Sequence, residues 1–383
     1  MNPNFSSTPG VQITMTRFNE VKYDAATKTA DVGAGLTWDS VYAALDPLGV
    51  NVVGGRVPGI GVAGLTLGGG YSNQYGLAAD NVVAFELVLP NGSVKVITDS
   101  DVDLFFALKG GFNNFGIVTK FTLKTYPQGQ VWGGAVTLSE DAAVQINAAT
   151  LKFFTEVTDP KAAIISSFDF EPSLNISVCS LLLFYDAPQP PAGMFDDFLL
   201  EGALVSNVST RSFLSLVQAG PSDESIGRRG VFHNVPVATL EDSAFLNAVL
   251  NETLWRTLSL PSDAFVACSV ELFLSSVLTH GGPSAYPPTR TIAYQPINVY
   301  FAWSLPSSDA FMFDAIQQSS ARLTAVALKS GQDVANAPLY PNYAIFDTPV
   351  ERMYGAGLGR LQRIKKGYDP LNVMGQAGGW KFR

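Results

Sequence analysis

The stretch from Gly54 to Asn81, GGRVPGIGVAGLTLGGGYSNQYGLAADN, limits what this chain can fold into more than any other. It holds nine glycines, three of them consecutive at Gly68, Gly69 and Gly70. Such density marks backbone that turns with positive φ or that another group approaches closely. Without side chains in the way, a flat ligand can lie against the main chain, and successive N–H groups in turns form concavities for phosphate or carbonyl oxygens. Tight turns at sheet edges are the plainer explanation for an isolated glycine pair. A whole segment of them, led in by Pro58 and carrying Tyr71 and Tyr75, reads as a wall against a large, flat, partly anionic cofactor.

A chain of 383 residues exceeds the roughly 250–300 that one hydrophobic core supports, so two domains are expected. With 47% apolar and only 15% charged residues, disorder is excluded as the general state. The net charge of −9, from 33 acidic and 24 basic residues, gives no support to a nucleic-acid or anionic-membrane partner and suits a small neutral or apolar substrate. Cys179 and Cys268 lie far apart and read as two buried free thiols, a single disulfide being the alternative. His233 and His280 form no ligand pair, so no metal site is expected. No run approaches the roughly 18 apolar residues of a spanning helix. No signal-peptide pattern follows Met1, yet five acceptor sequons, at Asn4, Asn91, Asn175, Asn207 and Asn251, suggest a secretory protein and leave localisation open.

Short alternating runs at Val11–Ile13, Val21–Tyr23 and Thr29–Val32 predict strands. Thr37 can cap a helix from Trp38 to Leu48 that Gly49 ends. Ala84–Leu89 and Val94–Ile97 flank Asn91-Gly92, the strongest short hairpin signal available. A short helix from Asp101 to Leu108 stops at Gly110-Gly111 and leads into a strand over Lys120–Thr125. Near Tyr126 the composition shifts, with Pro127, Gly129 and Gly133-Gly134 as punctuation. Strands are then predicted at Ala163–Glu171, Ser177–Tyr185, Phe265–Ser276 and Asn298–Leu305, and helices at Asp141–Thr155, Phe195–Leu204 and Glu241–Leu258. Asp186–Gly193 and Gly281–Pro288 read as surface loops. Thr348 to Glu351 has the form of a capping box with Pro349 at the first helical position, opening a helix toward Lys366 that Asp369-Pro370 ends. Close backbone packing would explain Gly355, Gly357 and Gly359 inside it.

Three motifs bracket the chain: GGRVPGIGVAGLTLGGGYSNQYGLAADNV at Gly54–Val82, LKGGFNNFGIVTKF at Leu108–Phe121, and YPNYAIFDTPVERMYGAGLGRLQRIKKGYDPLNV at Tyr340–Val373. Together they resemble the FAD-binding family of vanillyl-alcohol oxidase and berberine bridge enzyme, in its fungal FAD-linked oxidoreductase branch. The resemblance implies an α+β fold. A PCMH-type FAD-binding domain, truncated at its N-terminus, would occupy residues 1–128. A substrate domain with an antiparallel sheet covered by helices would follow over 129–335, and a berberine-bridge-like segment over 336–383 would return to the first domain. The implied FAD would be lined by Gly61, Gly69, Gly70, Tyr75, Asp80 and Asn81 on one side and by Gly116, Ile117 and Val118 on the other. Asn342 and Tyr343 match the family's Asn-Tyr pair, with Tyr340 on the same face as Asn342. The family's pyrophosphate turn, whose His commonly bonds to the flavin, finds no match, so the chain is expected to be a piece lacking that cradle and the histidyl link. Members with a second covalent link have Cys where this chain has Val57.

In this family an alcohol or C–H is oxidised by hydride transfer to flavin N5, a side chain takes the proton, and molecular oxygen usually reoxidises the flavin. Tyr343 is the first choice of base, on the expectation that a flavin and a cationic transition state lower its pKa. A core tyrosine with a satisfied hydroxyl is the alternative. Asp169, Glu171 and Glu271 fall on predicted strands of the roofing sheet and read as solvent-facing carboxylates, and His233 and His280 as loop residues. Three functions stay open: an FAD-dependent oxidoreductase of a small, largely apolar metabolite in secondary metabolism, a non-redox isomerase or cyclase on the same fold, and an inactive fragment or binding scaffold.

Overall fold

In the computed structural model, which describes every residue except 1–4, 6, 7, 9, 73, 173, 174 and 221–226 and the side chain of residue 171, the chain builds two large antiparallel sheets. The first contains β1 (Val21–Asp24), β2 (Thr29–Gly33), β3 (Val82–Val88), β4 (Val94–Ile97) and β5 (Ile117–Lys124), in the order β1-β2-β5-β3-β4. Its hairpins are local in origin. The Asp24 carboxylate accepts from the amides of Ala26 and Thr27, and Gly92, at φ +83°, closes the β3–β4 turn by donating to the Leu89 carbonyl. Helices α1 (Trp38–Leu45), α2 (Val62–Leu67) and α3 (Val102–Leu108) belong to the same part of the chain. Val32, Phe85 and Phe121 share one core with Trp38, Leu104 and residues from the far end of the sequence, among them Tyr354, Leu361 and Phe382.

The second sheet has seven strands: β6 (Val131–Ser139), β7 (Ala162–Glu171), β8 (Ile176–Tyr185), β9 (Val205–Arg211), β10 (Arg229–Val237), β11 (Phe265–Glu271) and β12 (Gln295–Trp303). They lie in the order β9-β6-β8-β7-β11-β12-β10. Three helices, α4 (Ala143–Glu156), α6 (Ala244–Ser259) and α7 (Asp309–Lys329), pack on one face, and the short α5 (Phe213–Gln218) lies against α1 and β6. Alternation decides what each face carries. In β7, Ala162, Ile164, Phe168 and Phe170 are buried in the helix-covered core, while Ala163, Ile165, Ser167 and Asp169 take the opposite face, where Ala163 and Ile165 line a cleft shared with the glycine-rich segment.

Gly133 and Gly134 do not punctuate the chain; they sit inside β6, between β8 and β9. A Cβ on Gly134 would lie 1.7 Å from the Asn207 carbonyl oxygen. Gly134→Ala is therefore expected to cost about 1–3 kcal/mol. It should be read as a lower urea midpoint with an unchanged slope, and an unmoved midpoint would show that the strand accommodates the methyl.

Several expectations fail for identifiable reasons. Val11–Ile13 forms no strand and is exposed. Phe195–Leu204 contributes only a 3-10 turn at Asp196–Phe198, and the strand opened by Phe265 ends at Glu271. The capping box does not form. Val350 occupies the N-cap, Thr348 Oγ1 is buried without a partner, and the helix breaks at Gly355 (φ +46°) into α8 (Glu351–Tyr354) and α9 (Leu358–Tyr368). Close packing does not explain its glycines, since a Cβ on Gly357 would meet nothing within 4 Å. Gly281–Pro288 is not wholly a surface loop, because Tyr286 in it is buried and shares a hydrogen bond with the Tyr71 hydroxyl at 2.9 Å. Asn91, Asn175, Asn207 and Asn251 are exposed, and Asn4 lies outside the described residues.

Candidate active site

The nine glycines of the opening segment serve two purposes. Gly69 (φ +123°) and Gly70 (φ +73°) carry the chain through a turn that side chains would strain. The Gly70 amide donates to the Tyr340 hydroxyl at 3.0 Å, and a Cβ on Gly68 would fall 2.0 Å from Asn342 Oδ1. Asn342 presses on Gly68, Tyr286 and Tyr340 on Gly69, and Leu65 and Ala78 on Gly70. Gly59, Gly61 and Gly64 differ, being exposed with nothing within 4 Å of a built Cβ. They present bare backbone to the exterior, while Asn342 Nδ2 donates to the Leu65 carbonyl of α2 at 3.1 Å.

Tyr75, Asp80 and Asn81 are occupied by the protein itself. Asp80 is buried and grips Arg290 through both oxygens, at 3.0 and 2.7 Å, while accepting from the Leu77 amide. Asn81 Nδ2 donates to the Tyr75 and Leu77 carbonyls, and its Oδ1 accepts from the Tyr126 hydroxyl at 2.6 Å. Tyr75 stacks on Tyr126 with centroids 3.7 Å apart, and burial pushes its hydroxyl up to about 12. Gly116 faces β3, where a Cβ would meet the Val88 carbonyl at 2.4 Å, and Ile117 and Val118 pair with Val88 and Leu87 in the ladder. On the second sheet Asp169 is half-buried, His280 is exposed in a 3-10 turn, and the Glu171 side chain lies outside the described residues.

What the structure brings together is Tyr343, Glu271 and Arg56. Glu271 is not solvent-facing; it lies buried at the end of β11, turned to the cleft side of the sheet. Its carboxylate accepts from the Tyr343 hydroxyl at 2.9 and 3.1 Å and from Arg56 Nη2 at 2.5 Å. Burial and then the neighbouring Glu271 charge raise the Tyr343 pKa well above the ordinary phenol value, the reverse of the lowering expected for a base. Burial acts to lower the Arg56 pKa, but the Glu271 charge and hydrogen bond overcome it, so the guanidinium stays charged. Arg56 lies within the glycine-rich motif, beside Val57, and received no role from sequence reasoning. A lone cation in an apolar, glycine-rich stretch was the available signal, since such a charge needs a partner.

Between the sheets a cleft of about 960 Å³, its mouth included, is lined by Val52, Val53, Ile165, Leu182, Phe184 and Phe273 among others, with Arg56 on its wall. Polar groups at its other end are paired with one another: Asn51 donates to Gln128 at 3.1 Å, and Gln128 donates to Asp186 at 2.8 Å. Among the described residues no group of three or more His, Cys, Asp or Glu could hold a metal.

His233 is not in a loop. It sits in β10, half-buried, with Nδ1 accepting from the Ile345 amide. Burial pushes its pKa down to about 4. The unfolded chain takes up this proton below about 6.5, the folded one only below about 4, so stability falls as pH drops between those values. His233→Gln, which keeps an acceptor, should flatten that loss by about 1–3 kcal/mol after allowance for partial exposure. Urea unfolding at pH 7 and pH 4.5 measures it; equal pH slopes in both proteins would remove His233 as the cause.

The residues present fit the expected cofactor. Gly59, Gly61 and Gly64 leave bare exposed backbone in the glycine-rich segment, Asn342 ties α2 of that segment to the C-terminal part of the chain, and Arg56 of the same segment joins Glu271 and Tyr343. Residues 2–98 match the family described as "FAD binding domain", and residues 339–376 match "Berberine and berberine like". An FAD-dependent monooxygenase of Arthrobotrys oligospora is 30% identical over 96% of this chain and 72% of its own length. An uncharacterized FAD-linked oxidoreductase of Arthroderma benhamiae is 41% identical over 59% of this chain, which spans 45% of that protein. The crystal structure of berberine bridge enzyme from Eschscholzia californica superposes with a TM-score of 0.74 at 19% identity, covering 99% of this chain and 82% of that one.

Proposed function

This chain belongs to the FAD-linked oxidoreductases of the berberine-bridge-like family, and we propose that it oxidises a small, largely apolar metabolite with bound FAD as the hydride acceptor at N5. The backbone of Gly61, Gly69 and Gly70 with Tyr340 and Asn342 would hold the cofactor from one side. Gly116, Ile117 and Val118 would contribute from the β5 side, with Tyr75, Asp80 and Asn81 keeping the segment in shape. Val57 leaves the second covalent link unmade. Residues 1–128 and 336–383 are taken as the cofactor-binding domain and 129–335 as the substrate domain. Molecular oxygen is the proposed final acceptor, and fungal secondary metabolism the proposed setting.

The observation that carries this reading is the Tyr343–Glu271–Arg56 assembly, in which the buried Glu271 carboxylate is shared by the Tyr343 hydroxyl and by Arg56 on the cleft wall. The high pKa of Tyr343 keeps it neutral, so it acts as a relay. It accepts the substrate hydroxyl proton while passing its own to Glu271, and no free phenolate forms. Arg56 holds the Glu271 carboxylate in place, and the apolar cleft wall excludes water from the transfer.

The test is anaerobic mixing of the FAD-loaded protein with candidate alcohols, following flavin absorbance. Bleaching in the wild type, slowed in Tyr343→Phe with FAD binding intact, is the expected result. Product formation with the flavin colour intact would replace this reading with a non-redox isomerisation or cyclisation.

A further inference from the structure

We propose that the substrate of this site carries, besides the hydroxyl that is oxidised, an uncharged carbonyl group, and binds with its apolar body in the cleft and its carbonyl oxygen on Arg56. The inference rests on the oxidoreductase reading above and names the substrate class for it.

The cleft wall is apolar over Val52, Val53, Leu182, Phe184 and Phe273, which selects an apolar body. Among the other polar groups on its lining, Asn51 donates to Gln128 and Gln128 donates to Asp186. Arg56 differs. Its side chain is 34% exposed, it lines the cleft, and among the described residues only Nη2 of its donors has a hydrogen-bond partner. Among the described residues the remaining guanidinium N–H groups have no acceptor in the protein, so an oxygen acceptor in the cleft can use them.

Charge decides which acceptor. Glu271 already stands on this guanidinium at 2.5 Å, so the pair is close to neutral. A carboxylate would feel the attraction of Arg56 largely cancelled by Glu271 and would still lose its hydration in an apolar cleft. A ketone, aldehyde or ester oxygen takes the same hydrogen bonds with far less desolvation.

Equilibrium dialysis of the FAD-loaded protein against three probes of one shape tests this: 2-acetonaphthone, 2-ethylnaphthalene and 2-naphthoate. The ketone is expected to bind about tenfold or more tightly than the other two. Arg56→Met combined with Glu271→Gln, which removes both charges together, is expected to abolish that preference while 2-ethylnaphthalene binds as before. If this double variant does not fold, Arg56→Gln reads the same preference. Equal binding of ketone and hydrocarbon, tightest binding of the carboxylate, or a preference that survives substitution would overturn the proposal. Binding is measured without turnover, so loss of the preference leaves the oxidoreductase reading standing. An unbleached flavin would in turn leave the preference standing.

Discussion

Glu271→Gln is expected to slow substrate oxidation by about 10²–10⁴-fold, the range that a positioned proton acceptor contributes. Glu271 is 5% exposed and is the group to which the Tyr343 hydroxyl donates, so the relay ends on its carboxylate. A glutamine keeps the size and an oxygen for Arg56 and Tyr343 but cannot take the proton. The fold and the affinity for FAD should therefore hold while the rate falls. Rapid-mixing measurement of flavin reduction checks this, with the FAD dissociation constant as control. A rate within a few-fold of wild type, at unchanged FAD affinity, would mean that the proton leaves by another path.

The second large effect concerns stability. Asp80→Ala should cost about 3 kcal/mol, the lower end of the range for breaking a buried ion pair. The Asp80 side chain is 1% exposed and that of Arg290 17%, so the abandoned guanidinium keeps only a little water. It would retain the Leu278 carbonyl and the Ser284 hydroxyl, neither of which carries charge. Asp197→Ala is the contrast, because its pair with Lys152 has both side chains at least half exposed and should cost under about 1 kcal/mol. Urea midpoints of the two variants compare the pairs directly. A loss below about 1 kcal/mol for Asp80→Ala would show that Arg290 finds water or another partner.

Much of this architecture was legible because its causes are local. Asn91-Gly92 makes its hairpin from its own turn chemistry, and the runs at Ala163–Glu171 and Ser177–Tyr185 come within one residue of β7 and β8. The motifs at Gly54–Val82 and Tyr340–Val373 announced the family, which the matches at residues 2–98 and 339–376 and the relative from Arthrobotrys oligospora support. What stayed hidden depends on partners far along the chain. Arg56 and Glu271 are 215 positions apart, and Tyr343 lies 72 beyond Glu271, so neither the buried carboxylate nor the sign of the Tyr343 shift has a local signature. β6 was missed because Gly133 and Gly134 look like loop punctuation, when their reason is the closeness of the β8 and β9 carbonyls. The capping box failed because the helix starts only at Glu351 with Val350 at the N-cap, and Gly355, at φ +46°, separately breaks the expected continuous helix.

Residues from the two ends of the chain share the first core, and this bears on how the protein is made. Asn114 accepts from the Phe382 amide and donates to the Trp380 carbonyl, and Phe382 packs on Phe115 and Tyr354. On the ribosome, the core around the second sheet has its strands and helices in hand soon after residue 345 emerges. The core on the earlier-synthesised sheet is incomplete until Phe382 arrives, which departs from the usual N-terminal-first order of domain folding. Until then Phe85, Phe121 and Trp38 lack part of their cover. Nascent chains stalled shortly before residue 380 should thus bind holdase chaperones through the segments around Trp38, Phe85 and Phe121.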